Sequence, residues 1–131
     1  MQLSNFLRTV LKLDAATCLG TAALVLPTAG SLSGPLGIEA AALIAAATSL
    51  IPIGLFMLYL GTRRSAHPAL VYLVIVGNLG WTAASIATAF GLPGITGLGS
   101  FLVAAQAIVV LFWALLEWRG LAQSRDATWA A

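Results

Sequence analysis

Charged side chains are scarce in this sequence. Only 8% of the 131 residues are Asp, Glu, Lys or Arg, whereas 60% are hydrophobic, and the mean hydropathy is +1.01. Soluble globular domains carry about 25% charged residues, so this composition argues against an ordinary soluble domain and indicates that lipid is the main solvent. Although the pI is near 9.2, the net charge of +2 comes from a few scattered basic residues, and we expect no nucleic-acid partner.

Cysteine and histidine occur once each, as Cys18 and His67. A single cysteine cannot form an intramolecular disulfide or a CxxC redox pair, and a single histidine cannot supply a histidine-based metal cluster or paired haem ligands. No nucleophile with a base, and no pair of carboxylates, is recognisable at membrane depth. We therefore interpret Cys18 as a packed apolar side chain, and we expect no enzymatic activity, metal or cofactor.

Long uncharged runs are what the sequence has instead. Residues 68–90 contain no charged side chain and would form a helix of about 34 Å, longer than the ~30 Å hydrocarbon core of a bilayer. Asp14 and the absence of an A-x-A site favour a retained first span over a cleaved signal peptide. The sequence predicts an all-α integral membrane protein, a single four-transmembrane-helix bundle with helices at about 15–32, 38–61, 68–90 and 96–119, a lead-in at 1–14 and a frayed tail at 120–131.

The distribution of basic residues predicts the orientation. With four spans, every Lys and Arg falls on one side of the membrane: Arg8, Lys12, Arg63, Arg64, Arg119 and Arg125. Basic residues concentrate on the cytoplasmic side of membrane proteins. Both termini are therefore predicted to be cytoplasmic, in a bacterial-type inner membrane.

Small residues are concentrated in two places where helices could approach closely. Residues 40–47 are nearly all alanine, and Ala16 and Gly20 are four apart in the first span. Because small side chains let helix backbones approach in lipid, we expect both sets to lie at helix–helix contacts within the bundle or with a partner subunit.

Polar side chains at mid-depth form the candidate site. Asn78 and Trp81 share a face of the third helix, and Gln106 lies near the centre of the fourth. In an antiparallel hairpin the two amides should be within reach of each other. Two interpretations follow: a structural clamp between helices, or a site for the polar head of a quinone, pigment or lipid, with Trp81 as its wall.

The remaining charges are predicted to be interfacial, because they fall near helix ends. Glu117 would pair there with Arg63 or Lys12. The predicted interfacial set is Asp14, Glu39, Arg63, Arg64 and Glu117.

Two functional hypotheses follow. The first is a non-enzymatic accessory or assembly subunit of a larger inner-membrane complex, such as a respiratory or photosynthetic one, with other membrane subunits or its own copies as partners. The alternative is a small oligomeric transporter or carrier of a hydrophobic ligand (quinone, pigment or lipid) that uses Asn78, Trp81 and Gln106.

Overall fold

The chain folds into four long helices. The computed structural model describes the backbone of residues 1–130 and the side chains of residues 1–126. The helices are α1 (Asn5–Leu36), α2 (Ala40–Thr62), α3 (Pro68–Gly91) and α4 (Gly97–Ala130). Each is long and apolar enough to cross a membrane, which confirms the prediction of an all-helical chain with four candidate spans.

Helix α1 extends beyond its predicted limits at both ends. It begins after Ser4, whose hydroxyl accepts from the Leu7 amide at 3.1 Å, so the predicted lead-in belongs to the helix. It continues through Pro27 and Pro35 to end at Gly37, whose φ is 67°. Residues 33–36, predicted to connect the first two helices, are therefore helical as well. Each proline removes one backbone hydrogen bond from the helix. An open turn would leave more backbone groups unpaired, which is costly in lipid, so the helix is favoured.

Helix α4 also continues past its predicted end. Residues 120–130 of the expected frayed tail are helical, and residue 131 lies outside the described part of the chain. Leu121 and Ser124 are buried, and Ser124 Oγ accepts from the Ser4 amide at 2.9 Å. The start of α1 thus provides the surface on which the last turns of α4 pack.

The helices pack as two hairpins joined along their first and last members. Helix α2 packs on α1, α3 packs on α4, and α1 packs on α4. In the described part of the chain no other helix pair packs extensively. Helices α2 and α3 therefore lie on the outside of the bundle and leave room between them.

One end of the bundle carries the first residues, the α2–α3 loop and the last turns of α4; we call it the basic end. The Leu3 amide donates to the Arg64 carbonyl at 2.9 Å, and the Ala66 amide donates to the Met1 carbonyl at 3.1 Å. Beneath this short bridge lies a core of leucine and valine: Leu3, Leu7, Leu11, Leu60, Val71 and Leu121. These contacts close the basic end.

At the opposite end, which we call the loop end, the two short loops interlock. The Thr96 amide donates to the Leu36 carbonyl at 3.1 Å, and the Thr96 hydroxyl donates to the Pro35 carbonyl at 2.7 Å. The same hydroxyl accepts from the Gly99 amide at 3.0 Å and so caps α4. The hydrogen bonds from Thr96 thus join the two hairpins at the loop end.

The small-residue faces lie mostly outside the bundle. Ala42 and Ala46 are exposed, and so are Ala16 and Gly20. Only Ala47, at the end of the alanine run, is buried. The prediction that these faces make helix–helix contacts within this chain is therefore wrong. That they contact another chain stays a prediction.

Candidate functional site

Two carboxyl groups and one amide meet inside the bundle. Asn78 Nδ2 donates to Asp14 Oδ2 at 2.7 Å and to Glu117 Oε2 at 2.9 Å. The exposed fractions of Asp14, Asn78 and Glu117 are 1%, 6% and 0%. We call these three residues the acid–amide cluster. The structure corrects the prediction that Asp14 and Glu117 are interfacial, because both point inward.

The faces of three helices bring the cluster together. Asp14 lies on the same face of α1 as Leu7, Leu11 and Cys18, all of them buried. Asn78 follows Val71 and Val74 along the buried face of α3. Both of these faces pack against α4, which places the side chains of Asp14 and Asn78 beside Glu117. Tyr72 lies near the start of α3, at the basic end. Asn78 is six residues further along the helix, so it lies about 9 Å deeper in the bundle.

In the described part of the chain, no basic side chain is paired with the two carboxyl groups. The predicted partners of Glu117 are engaged elsewhere: the Arg63 guanidinium lies 5.4 Å from the centre of the Tyr59 ring, and Lys12 lies beside Gly61. Glu117 Oε1 is buried and accepts no hydrogen bond, and Glu117 Oε2 shares the Asn78 nitrogen with Asp14 Oδ2. Two buried carboxylates that share one hydrogen-bond donor repel each other unless a positive charge or a proton compensates them.

Gln106 belongs to a different contact. Gln106 Oε1 accepts from the Trp81 indole nitrogen at 3.0 Å, and Gln106 Nε2 donates to the Val103 carbonyl at 2.9 Å. The predicted clamp between Asn78 and Gln106 is absent from the described contacts, because the Asn78 nitrogen is held by the carboxyl groups. The residue one turn further along α3, Trp81, meets Gln106 instead.

A cavity of about 360 Å³ opens between α2 and α3, next to the cluster. We call it the lateral cavity. Asn78 and Trp81 both line it, whereas Gln106 does not. Apart from Asn78 and Cys18 its walls are mainly apolar: Leu50, Pro52, Ile53, Phe56, Met57, Leu73, Val74, Gly77, Trp81 and Val110.

The amide of Asn78 connects the cavity to the buried acids. Its nitrogen uses both hydrogens on Asp14 and Glu117, and no described group donates to its oxygen. That oxygen is not among the fully buried polar atoms without a partner, so it keeps some accessible surface, and Asn78 is one of the residues that line the cavity. The site thus presents a hydrogen-bond acceptor to an occupant of the cavity, with two acidic groups behind it.

Sequence reasoning missed the pairing of Asp14 with Glu117. Asp14 was predicted to be interfacial because it falls near the end of the predicted first helix, close to Lys12, yet two residues on a helix are about 200° apart. Lys12 is accordingly exposed and Asp14 buried. The heptad-like spacing of Leu7, Leu11, Asp14 and Cys18 was the signal that could have placed Asp14 inside. The other predicted interfacial residues, Glu39, Arg63 and Arg64, are exposed.

Comparison with known proteins identifies no relative: no family model, no curated protein and no solved structure matches this chain. Function must therefore be inferred from the acid–amide cluster and the lateral cavity themselves.

The separation of Asn78 from Gln106 has a measurable consequence. Gln106→Leu leaves the Trp81 N–H without its acceptor, and we expect a loss of about 1–2 kcal/mol in the free energy of unfolding. Since the two amides have different partners, combining this change with Asn78→Leu should be additive within about 0.5 kcal/mol. Unfolding in mixed micelles of the two single variants and the double variant measures this. A coupling well above 1 kcal/mol would restore the clamp.

Proposed function

We propose that this protein is a membrane carrier that binds a small hydrophobic molecule entering the lateral cavity from the lipid. The observation that carries the proposal is the cavity itself, about 360 Å³ between two helices that do not pack on each other, with Asn78 in its wall. Ligand sites in proteins are typically mainly apolar cavities of about 300–1,000 Å³ with a few placed polar groups. The lateral cavity fits the lower part of that range.

The hydrogen-bonding groups in the wall favour a particular kind of ligand. A quinone, ester or pigment carbonyl needs a donor, but the Asn78 nitrogen is committed to Asp14 and Glu117, and the Trp81 nitrogen to Gln106. What the wall offers is the Asn78 oxygen, an acceptor. Among hydrophobic molecules, those carrying an N–H, an O–H or a positive charge therefore suit the cavity better than those carrying carbonyls.

A second candidate is the accessory subunit of a larger membrane complex. Its support is the exposed small-residue surface, where Ala42 and Ala46 of α2 and Ala16 and Gly20 of α1 are uncovered in the single chain. Such surfaces let a neighbouring helix approach closely. In this case the acid–amide cluster would serve only to hold the hairpins together, and no small molecule would bind the cavity.

We further propose that the basic end faces the cytoplasm of a bacterial-type inner membrane. The loop end carries Glu39 and no Lys or Arg, whereas all six basic residues of the sequence are in the segments that lead to the basic end. The positive-inside tendency supports this orientation. It places the acid–amide cluster nearer to the cytoplasm than to the opposite surface.

Filling the cavity from α3 should abolish ligand binding. Gly77 lines the cavity, and a Cβ added there meets no atom within 4 Å, so Gly77→Leu places a side chain in the space without a backbone clash. The probe is tert-butylbenzene, titrated calorimetrically into the protein in lipid nanodiscs, with protein-free nanodiscs as the blank. We expect saturable binding to the wild type and none to Gly77→Leu.

Gly80→Leu is the matched control. Gly80 is on the same helix, a Cβ there also meets no atom within 4 Å, and the residue does not line the cavity. This variant should bind the probe as the wild type does. Failure of the wild type to bind either this probe or its cationic isostere, phenyltrimethylammonium, would overturn the carrier proposal and favour the accessory subunit, as would equal binding of tert-butylbenzene by both glycine variants.

A further inference from the structure

We infer that the lateral cavity takes an organic cation with an apolar body, in exchange for the proton held by the acid–amide cluster. This rests on the proposed function and specifies its ligand. Three observations carry it: the uncompensated acids, the orientation of the Asn78 amide and the Trp81 ring held by Gln106.

Among the described residues, the groups in and beside the cluster that could carry a charge are all acids. From α1 come Asp14 and the Cys18 thiol, whose sulfur lies 3.8 Å from Asp14 Oδ1, and from α4 comes Glu117. The face of α3 contributes the neutral Asn78, and the α2 residues that line the cavity are apolar. The nearby basic residues are engaged outside the cluster: Arg8 Nε donates to the Gly61 carbonyl at 3.3 Å, and Arg125 donates to the Tyr72 hydroxyl at 2.8 Å. A positive charge in the cavity would therefore meet no nearby repulsion from the protein.

The two carboxyl groups fix which way the Asn78 amide points. They hold its nitrogen between them, so the carbonyl end, which carries the partial negative charge, is turned to the accessible side in the cavity wall. A cation beside this oxygen is stabilised by the amide dipole and by the carboxylates behind it, through a medium that screens weakly. The ligand does not need to touch the acids, so Asn78 can stay in place.

Trp81 supplies the second contact. It lines the cavity one turn from Asn78, and its indole nitrogen is held by Gln106 at 3.0 Å. Indole faces bind organic cations better than other aromatic side chains do. A rigidly held tryptophan in an otherwise apolar wall therefore favours a cation over a neutral molecule of the same shape.

A cation in the cavity favours release of the proton from the cluster. In the empty protein, repulsion between the buried Asp14 and Glu117 carboxylates keeps one proton on the pair, which then has a single negative charge. When the cation arrives, the favourable charge–charge interaction allows the second carboxyl to ionise, and the proton is released to water. The occupied site then holds two carboxylates and one cation, so one positive charge has entered and one has left.

A matched pair of probes separates charge from shape. Phenyltrimethylammonium and tert-butylbenzene differ only in a quaternary nitrogen replacing a carbon. Each is titrated into wild-type protein in nanodiscs by calorimetry in two buffers of different ionisation enthalpy, which counts the protons exchanged on binding. We expect the cation to bind more tightly and to release about one proton, since the cluster is inferred to hold one, and the isostere to release none.

The double variant Asp14→Asn with Glu117→Gln removes both charges but keeps polar groups of similar size. It should bind the cation at least roughly tenfold more weakly, equivalent to about 1.4 kcal/mol, and should release no proton, while its affinity for tert-butylbenzene is unchanged. Glu39→Gln is the control, since Glu39 is an exposed carboxylate at the loop end. It should behave as the wild type with both probes.

The outcomes separate this inference from the proposed function. Binding of tert-butylbenzene without preference for the cation, or cation binding without proton release, overturns the inference and leaves the carrier proposal standing. Binding of neither probe to the wild type overturns both. If the double variant keeps the cation affinity and the proton release of the wild type, the inference is also overturned.

Discussion

Asn78→Leu is expected to lower the free energy of unfolding by about 3–5 kcal/mol, because it removes two hydrogen bonds to buried carboxyl groups, and bonds to charged groups contribute about 1.5–3 kcal/mol each. Leucine has the same number of side-chain heavy atoms and the same branching as asparagine, so the loss should come mainly from the two carboxyl groups rather than from packing. Both are nearly or fully buried, and Asn78 is the side chain of α3 that bonds to them. Reversible unfolding in mixed micelles measures the loss.

Two further variants show where that loss comes from. Adding Asp14→Leu and Glu117→Leu to Asn78→Leu removes the stranded acids and should recover most of the stability, since an apolar replacement of a whole buried polar group is often tolerated. Ser85→Ala is the control, because Ser85 is also buried and lies two turns further along α3. It should change stability by less than about 1 kcal/mol. If Asn78→Leu were equally mild, the amide would not be what holds the acids.

Gly99→Ala is expected to destabilise the protein by about 2–3 kcal/mol by forcing the two loop-end connections apart. A Cβ at Gly99 would overlap the Leu36 carbonyl oxygen and lie 2.9 Å from Ile95 Cγ1. The first neighbour is backbone, so it cannot rotate out of the way as a side chain would. It also belongs to the carbonyl that accepts from the Thr96 amide at 3.1 Å, so relief of the overlap should weaken that hydrogen bond.

Gly97→Ala, two residues earlier in the same first turn of α4, provides the comparison. A Cβ there meets no atom within 4 Å. Alanine is favoured over glycine in helices by up to about 1 kcal/mol, so this variant should be as stable as the wild type or more so. Thermal unfolding in one detergent compares the two. Equal stability of the two alanine variants would show that the loops do not interlock in the membrane protein.

Asn78 and Trp81 show how far the candidate site could be predicted. A polar amide in a span is costly without a partner, so its inward placement followed from the sequence, and both residues line the cavity. The partners did not follow, because the depth of a residue in its span does not give its angle around the helix. Gln106 and Asn78 have similar depths but different neighbours, and a small rotation of α3 decides which of them meet.

The sequence by itself determined that this chain has four membrane-length helices, because burying uninterrupted apolar runs in lipid depends on length and hydropathy alone. Tertiary structure decided the rest. In lipid, core-facing and lipid-facing residues can be equally apolar, so the pattern does not show which faces pack or that α2 and α3 leave a cavity. The burial of Asp14 and Glu117 likewise depends on packing, since two acids become stable inside a membrane only when separate helices supply a shared partner, here Asn78.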